Sequence, residues 1–369
     1  MRVLRECLNG LTDFEQIQQD IRDKKPIAVS GCVDSQKAHF MWALSEDFPF
    51  RIVITHSEIR AREIYEDFSF YSKDVYLFPA KDFIFFQADI HSNLLEQQRI
   101  AVLKALVEKE EVTVITTMAA CMNHLVPFEH WKKRILEIES GSVLDTDWLK
   151  KELVEMGYER TAQTEGPGQF AIRGGIIDIY PLTEENPVRI ELWGDEVDSI
   201  RCFDAESQRS IENQERVRIY PAAELVPDAA EREKALEHLA REAKKAESLF
   251  RGEGKPEEAT RIKNLLQEYQ DQLEEFGEPL SMEGCIDYFT GTRETFPDYF
   301  DTGNTLFFLD EPNRLLESGD AVEQEFRESM EHRLEKGYVL PGMTKILFSC
   351  QEIAGFLSGR NSIGLCTLE

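Results

Sequence analysis

The 369-residue sequence has no C-x-x-C pair, no histidine beside a cysteine at metal-ligand spacing, and no apolar run of about 18 residues. The first two absences leave neither a zinc site nor a disulfide framework to be read. Cys7, Cys32, Cys121, Cys202, Cys285, Cys350 and Cys366 therefore stand as thiols of a reducing compartment. The third excludes a helical membrane span. The start Met1-Arg2-Val3-Leu4-Arg5, running into Glu6 and Asn9-Gly10, is not that of a signal peptide. A cytoplasmic protein with no membrane partner is expected. The 7 histidines, His39, His56, His91, His124, His130, His238 and His332, form no cluster and suggest no catalytic pair. Positive charge is also scarce. Against 70 acids stand 42 basic residues, a formal net charge of -28, which disfavours a grip on a phosphate backbone and favours solubility. No internal repeat or low-complexity segment occurs.

What is present is globular: 42% hydrophobic and 10% aromatic residues, in a chain long enough for two or three domains of about 100–200 residues. The first third alternates helices with short apolar strands. Helical periodicity covers 14–22, 38–44, 58–68 and 93–108, the last with Leu95, Ile100, Leu103 and Leu106 in phase. Strands are predicted over 27–29, 51–55, 75–78 and 112–116, and this alternation implies a parallel sheet covered on both faces. Near Pro127 the pattern changes. A helix over 147–156, ended by Gly157, precedes strands over 176–180, 188–193, 197–203 and 217–220, separated by turns such as Gly174-Gly175 and Gly194-Asp195. Pro221 and Pro227 bracket a linker, and two helices follow over 228–275, broken at Gly252-Glu253-Gly254-Lys255-Pro256. A strand over 305–309, a charged helix to Gly337 and a strand over 345–349 then resume the α/β pattern. The expected architecture is one discontinuous α/β domain, residues 1–126 and 220–369, interrupted by a small α+β unit over 127–219.

After the first strand comes Gly31-Cys32-Val33-Asp34-Ser35-Gln36-Lys37-Ala38. A phosphate-binding loop reads G-x-x-x-x-G-K-[ST], and Gly31 and Lys37 keep that spacing. Gln36 replaces the second glycine, where a side chain obstructs close approach of backbone to phosphate. Ala38 replaces the hydroxyl that ligates magnesium, and Asp34 adds negative charge where phosphate would rest. The strand ending in Leu309-Asp310-Glu311 lies where such ATPases hold magnesium. With no hydroxyl opposite them, Asp310 and Glu311 are expected instead to cap the helix that Pro312 begins. Ancestry without hydrolysis, and hence no cofactor for this chain, is the expectation.

The longest distinctive run is Gly168-Gln169-Phe170-Ala171-Ile172-Arg173-Gly174-Gly175-Ile176-Ile177-Asp178-Ile179-Tyr180-Pro181, continued by 188–201. It resembles the second domain shared by the repair helicase UvrB and the bacterial transcription-repair coupling factors. Leu77-Phe78-Pro79-Ala80, Val114-Ile115-Thr116-Thr117 and 203–210 fit the coupling factors' N-terminal module. UvrB keeps an intact loop and a long aromatic hairpin, whereas this chain has the altered loop and only a short segment at 81–93. The resemblance implies a degenerate RecA-like domain carrying an inserted domain, as the N-terminal part of a longer protein. In that family, RNA polymerase, DNA, ATP and Mg2+ are handled by later domains, and the second domain docks the damage-recognition ATPase UvrA. Carried over by position, the docking residues are Arg173, Arg189 and Trp193, the last often Phe in the family, together with Glu191. A UvrB-type damage-binding ATPase is the alternative. A third reading, packing of the middle unit against a later part of the full protein, also stays open, and a monomer is expected.

The residues support docking on their own. Strand alternation over 189–193 puts Arg189, Glu191 and Trp193 on one face and Ile190 and Leu192 on the other, with Arg173 coming from a neighbouring strand. Arg and Trp are enriched at interface hot spots. The plainer reading is an Arg189–Glu191 surface ion pair partly covering a half-buried tryptophan. Phe83, Phe85 and Phe86 could stack on nucleic acid, but with only Lys81 beside them packing is favoured. Ser30 and Ser35 lack nucleophile-elbow spacing.

Overall fold

Short β-branched and aromatic runs separated by helices build the sheet that the alternation implies. A computed structural model of the chain describes residues 4–5, 7–11, 13–81, 93–274 and 283–367. Six strands, β1 (Ile27–Ser30), β2 (Phe50–Thr55), β3 (Val75–Phe78), β4 (Val112–Thr117), β13 (Thr305–Asp310) and β14 (Ser362–Cys366), form a sheet in the order β1-β14-β13-β2-β4-β3. Every neighbouring pair is parallel. The two late strands slot between β1 and β2, so the chain leaves this sheet after β4 and returns to its middle. Alternate side chains go to opposite cores: Val53, Ile115 and Phe308 meet Phe40, Trp42 and Phe68, while Ile52, Ile54, Val114 and Phe307 meet Phe296, Leu315 and Ile353. Burial on both faces explains why β4 reads as continuous Val-Thr-Val-Ile-Thr-Thr rather than as alternation.

Between the two visits lies a second, mostly antiparallel sheet. It comprises β6 (Glu159–Arg160), β7 (Gln169–Arg173), β8 (Ile176–Tyr180), β9 (Val188–Trp193), β10 (Glu196–Phe203) and β11 (Ser210–Gln214), in the order β11-β10-β9-β8-β7-β6. One face carries Phe170, Ile177, Ile179, Val188, Ile190, Val197 and Ile200 into a core with Leu149 and Leu153 of the helix Thr146–Glu155. Asp145 caps that helix, accepting from the backbone N–H groups of Asp147 and Trp148. The pair β5 (Leu136–Glu139) and β12 (Arg216–Ile219) closes the base of the unit. The helices Ala229–Gly252 and Pro256–Glu274 then form a hairpin, started by the Asp228/Glu231 capping box. Their apolar stripe, Ala235, Leu239, Ala243, Ala259 and Ile262, belongs to the same continuous core.

Two expectations change. Residues 345–349 are not a strand: the 3-10 turn Pro341–Lys345 leads to Ser349, which caps the helix Cys350–Ser358 through a box with Glu352. Local side-chain capping overrides the short apolar run, and the last strand of the sheet is β14. The helix over 38–44 also starts earlier, at Asp34. Phe83, Phe85 and Phe86 lie outside the described residues.

The parallel sheet is pinned to the linker after β12 by a buried ion pair. Arg99 is fully buried and grips Glu224 with both ends, Nε to Oε1 at 2.6 Å and Nη2 to Oε2 at 2.9 Å. Its Nη1 donates to the Pro79 carbonyl, its guanidinium lies 3.8 Å from the Phe78 ring centre, and Lys81 joins Glu224 at 2.9 Å. Burial raises the Glu224 carboxyl pKa, but Arg99 and Lys81 outweigh it and hold the group at about 2. A carboxylate depressed from 4.5 to about 2 stabilises the fold above pH 4.5 and loses that contribution as pH falls toward 2. Glu224→Gln is expected to cost about 3 kcal/mol at neutral pH, because it strands a buried guanidinium. Urea unfolding of both proteins across this window should show the difference shrinking toward pH 2.

Candidate functional sites

The loop after β1 is shorter than a phosphate loop. β1 ends at Ser30, Gly31 takes φ +88°, and the helix Asp34–Leu44 begins after Val33, its N-cap residue. The Gly31 N–H donates to the Cys366 carbonyl, and the Gln36 N–H to that of Val33, at 3.0 and 2.9 Å. Gln36 therefore sits exposed in the first helical turn, and its amide is used within the helix instead of facing an anion. Ala38 is buried.

Lys37 is fully buried, its ammonium 2.6 Å from Asp310, 2.7 Å from Glu311 and 3.3 Å from Asp34. Arg60 closes the cluster from the helix Glu58–Phe68, at 3.0 Å from Asp310 and 2.9 Å from Asp34. Thr367 donates its N–H to Glu311 at 2.7 Å. This corrects the expectation that Asp310 and Glu311 cap the following helix. Glu311 occupies the N-cap position with φ 60° and ψ 70° but makes no capping bond, its carboxylate being spent on Lys37 and Thr367. Burial works against the Lys37 charge, yet Asp310 and Glu311 outweigh it and raise its pKa above the ordinary value. Burial raises Glu311 too, but Lys37 and Thr367 hold it at about 2. Sequence reading likened the Lys37 loop and the Asp310-Glu311 strand end to parts of a nucleotide site but gave no role to Arg60, which carries no motif.

The second candidate is the outer face of the antiparallel sheet. Arg189, Glu191 and Trp193 share that face, as alternation required, and Trp193 is 84% exposed rather than half-buried. Arg173 is not on an adjacent strand: β8 lies between β7 and β9 and supplies Asp178, directly across from Arg189. Asp178 is 1% exposed and organises the face. It accepts from Arg173 Nη2 at 2.7 Å and from Arg189 at 2.6 and 2.9 Å. Arg189 also donates to Gln208 at 2.8 Å and lies 4.2 Å over the Phe203 ring. Glu191 pairs with Arg201 and accepts from Ser199 at 3.2 Å. The Arg189–Glu191 pair is therefore replaced by two cross-strand pairs. Asp178 was missed because, within an apolar strand, its only signal was being the lone acid of Ile-Ile-Asp-Ile-Tyr. The turns that set the register were legible. Gly194 takes φ +66°, and a Cβ on Gly175 would lie 2.9 Å from the Leu192 carbonyl oxygen.

These geometries separate a supporting arginine from an exposed tryptophan. Arg189→Ala should lower stability by about 3 kcal/mol, since it removes two of the three arginine bonds to the buried Asp178 and leaves only the single bond from the exposed Arg173. Trp193→Ala should change stability by no more than about 0.5 kcal/mol. Thermal or urea melts of the two variants check this difference. Lys37→Met should also cost about 3 kcal/mol, read the same way, by uncovering Asp310 and Glu311.

Among known proteins, the UvrB interaction domain family matches residues 136–225, which include this whole face. The transcription-repair-coupling factor of Bacillus subtilis is 34% identical over 345 residues, 92% of this chain and 29% of that protein. Its namesakes in Staphylococcus epidermidis and Staphylococcus haemolyticus are 30% identical, over 89% and 91% of this chain and 28% of each relative. The chain thus spans less than a third of the length of these relatives. With matches that run through both sheets, the chain belongs to the transcription-repair-coupling-factor family, as its UvrB-like N-terminal module.

Proposed function

We propose that this chain recruits UvrA to sites of transcription-blocking damage and does so without hydrolysing ATP. The observation that carries the reading is the coincidence of the UvrB interaction domain match with an exposed face of Arg173, Glu191 and Trp193 ordered around a buried carboxylate. An exposed tryptophan beside pre-positioned arginines has the composition of an interface hot spot. Holding the guanidiniums in place before binding lowers the ordering cost of docking.

The residues at the loop do not fit magnesium-ATP. Lys37 is already satisfied by Asp310 and Glu311, Ala38 offers no oxygen, and Asp34 stands at the mouth. A phosphate would have to break buried ion pairs and displace a carboxylate. This favours a degenerate RecA-like domain, residues 1–126 and 220–369, over the UvrB-type ATPase, with 127–219 as the docking insert. In the longer family protein, contacts with RNA polymerase and DNA, and ATP turnover with Mg2+, would fall to other domains. The module would act as a cytoplasmic monomer.

The test is calorimetric titration of UvrA into the chain. Arg173→Ala and Trp193→Ala, each with an unchanged melting temperature, should weaken binding by about 2 kcal/mol. Unchanged affinity in both would remove the docking assignment.

A further inference from the structure

The outer face continues beyond the four residues that alternation and resemblance single out. At the tip of the β9–β10 hairpin, Glu196 lies directly across from Trp193. On the other side of Glu196 the chain segment 141–144 runs antiparallel to β10 and pairs Val143 with Glu196. The pairing is fixed by three backbone bonds: Gly141 N–H to the Val197 carbonyl at 2.7 Å, Val197 N–H to that of Ser142 at 2.9 Å, and Leu144 N–H to that of Asp195 at 2.8 Å. Residues directly opposite one another in an antiparallel pair point to the same face. Trp193, Glu196 and Val143 therefore form one row across the sheet, spanning two strand spacings, roughly 10 Å.

The row has unusual chemistry for a solvated edge. Val143 is 80% exposed and Trp193 84%, two large apolar side chains flanking an exposed carboxylate. Glu191 is matched by Arg201, but Glu196 makes no ion pair or side-chain hydrogen bond among the described residues. Val143 adds a further opening. The bonds on either side of it come from Ser142 and Leu144, so its own N–H and carbonyl point away from β10, toward the open edge. The face is polarised as a result. Its Arg173 end carries the guanidiniums held by Asp178, and its other end sets Glu196 between two apolar side chains, with Asp195 exposed in the adjoining turn.

We propose that the protein partner of this face seats over the hairpin tip as well as over the arginines, with apolar side chains on Trp193 and Val143 and a basic side chain on Glu196. Charge complementarity selects this occupant. An unmatched acid between two apolar anchors fits a partner surface with one Lys or Arg set among aliphatic or aromatic groups. The guanidinium-bearing far end fixes the direction in which that surface lies. The inference rests on the reading that the face docks a protein partner, and it adds residues 141–144 to the contact.

The probe is UvrA, titrated into the intact chain and into Val143→Asp, Glu196→Lys, Arg173→Ala and Trp193→Ala. All four positions are exposed, and unchanged melting temperatures confirm folding. Binding weakened at least tenfold by Val143→Asp and by Glu196→Lys supports the extended site. If Arg173→Ala and Trp193→Ala weaken binding while Val143→Asp and Glu196→Lys leave it within twofold, the extension is wrong and the docking reading stands. If none of the four weakens binding, both are overturned.

Discussion

A single ammonium group, Lys37 Nζ, is held by carboxylates from the far end of the sequence, at Asp310 and Glu311. The contact ties the late return of the parallel sheet to its start: β14 and β13 lie between β1 and β2, and the end of β13 at Asp310 meets the helix that follows β1. A buried cation and a buried acid are each costly alone, so the pair works as a register key as well as a bond. Arg60 and Thr367 complete the cluster, in which each charged group has a partner. Lys37, which keeps the spacing of a phosphate-loop lysine, has its charge spent on Asp310 and Glu311.

Two further ion clusters repeat the device with different outcomes. Arg99 and Glu224 are matched inside the joint between the parallel sheet and the linker after β12, where a Phe78–Phe296 stack at 3.7 Å packs alongside. Asp178 is equally buried, but one of its partners, Arg173, reaches the surface. The first cluster spends all its charge on cohesion. In the second, the buried acid fixes the direction of guanidiniums on a face that otherwise belongs to solvent. A docking surface built this way is ordered before any partner arrives.

Much of this was legible in sequence because the governing signals are local. Apolar strands such as 51–55 and 112–116, the Gly174-Gly175 and Gly194-Asp195 turns, and the helix break at Gly252–Pro256 each predict an element that forms. The face of Arg189, Glu191 and Trp193 followed from a period of two. What was not legible depends on contacts between distant segments. Arg189 pairs with Asp178 instead of Glu191 because β8, not β10, presents an acid directly across from it. Glu311 looked like a helix cap because Pro312 follows it, yet Lys37 offered its carboxylate a stronger partner. The strand expected at 345–349 failed for the opposite reason, a local cap at Ser349 that outweighs a short apolar run. Val143 carries no motif, and only its pairing with Glu196 places it beside Trp193.

The chain combines a parallel-sheet domain, in which Lys37 and its carboxylates act as internal support, with an inserted sheet whose outer face is proposed to dock a partner. Lys37 is thereby assigned to the fold and not to a nucleotide. The most direct measurement is a calorimetric titration of magnesium-ATP into the intact chain at neutral pH. No saturable heat is expected up to about 1 mM nucleotide. Micromolar binding that disappears in a folded Lys37→Ala variant would contradict this assignment.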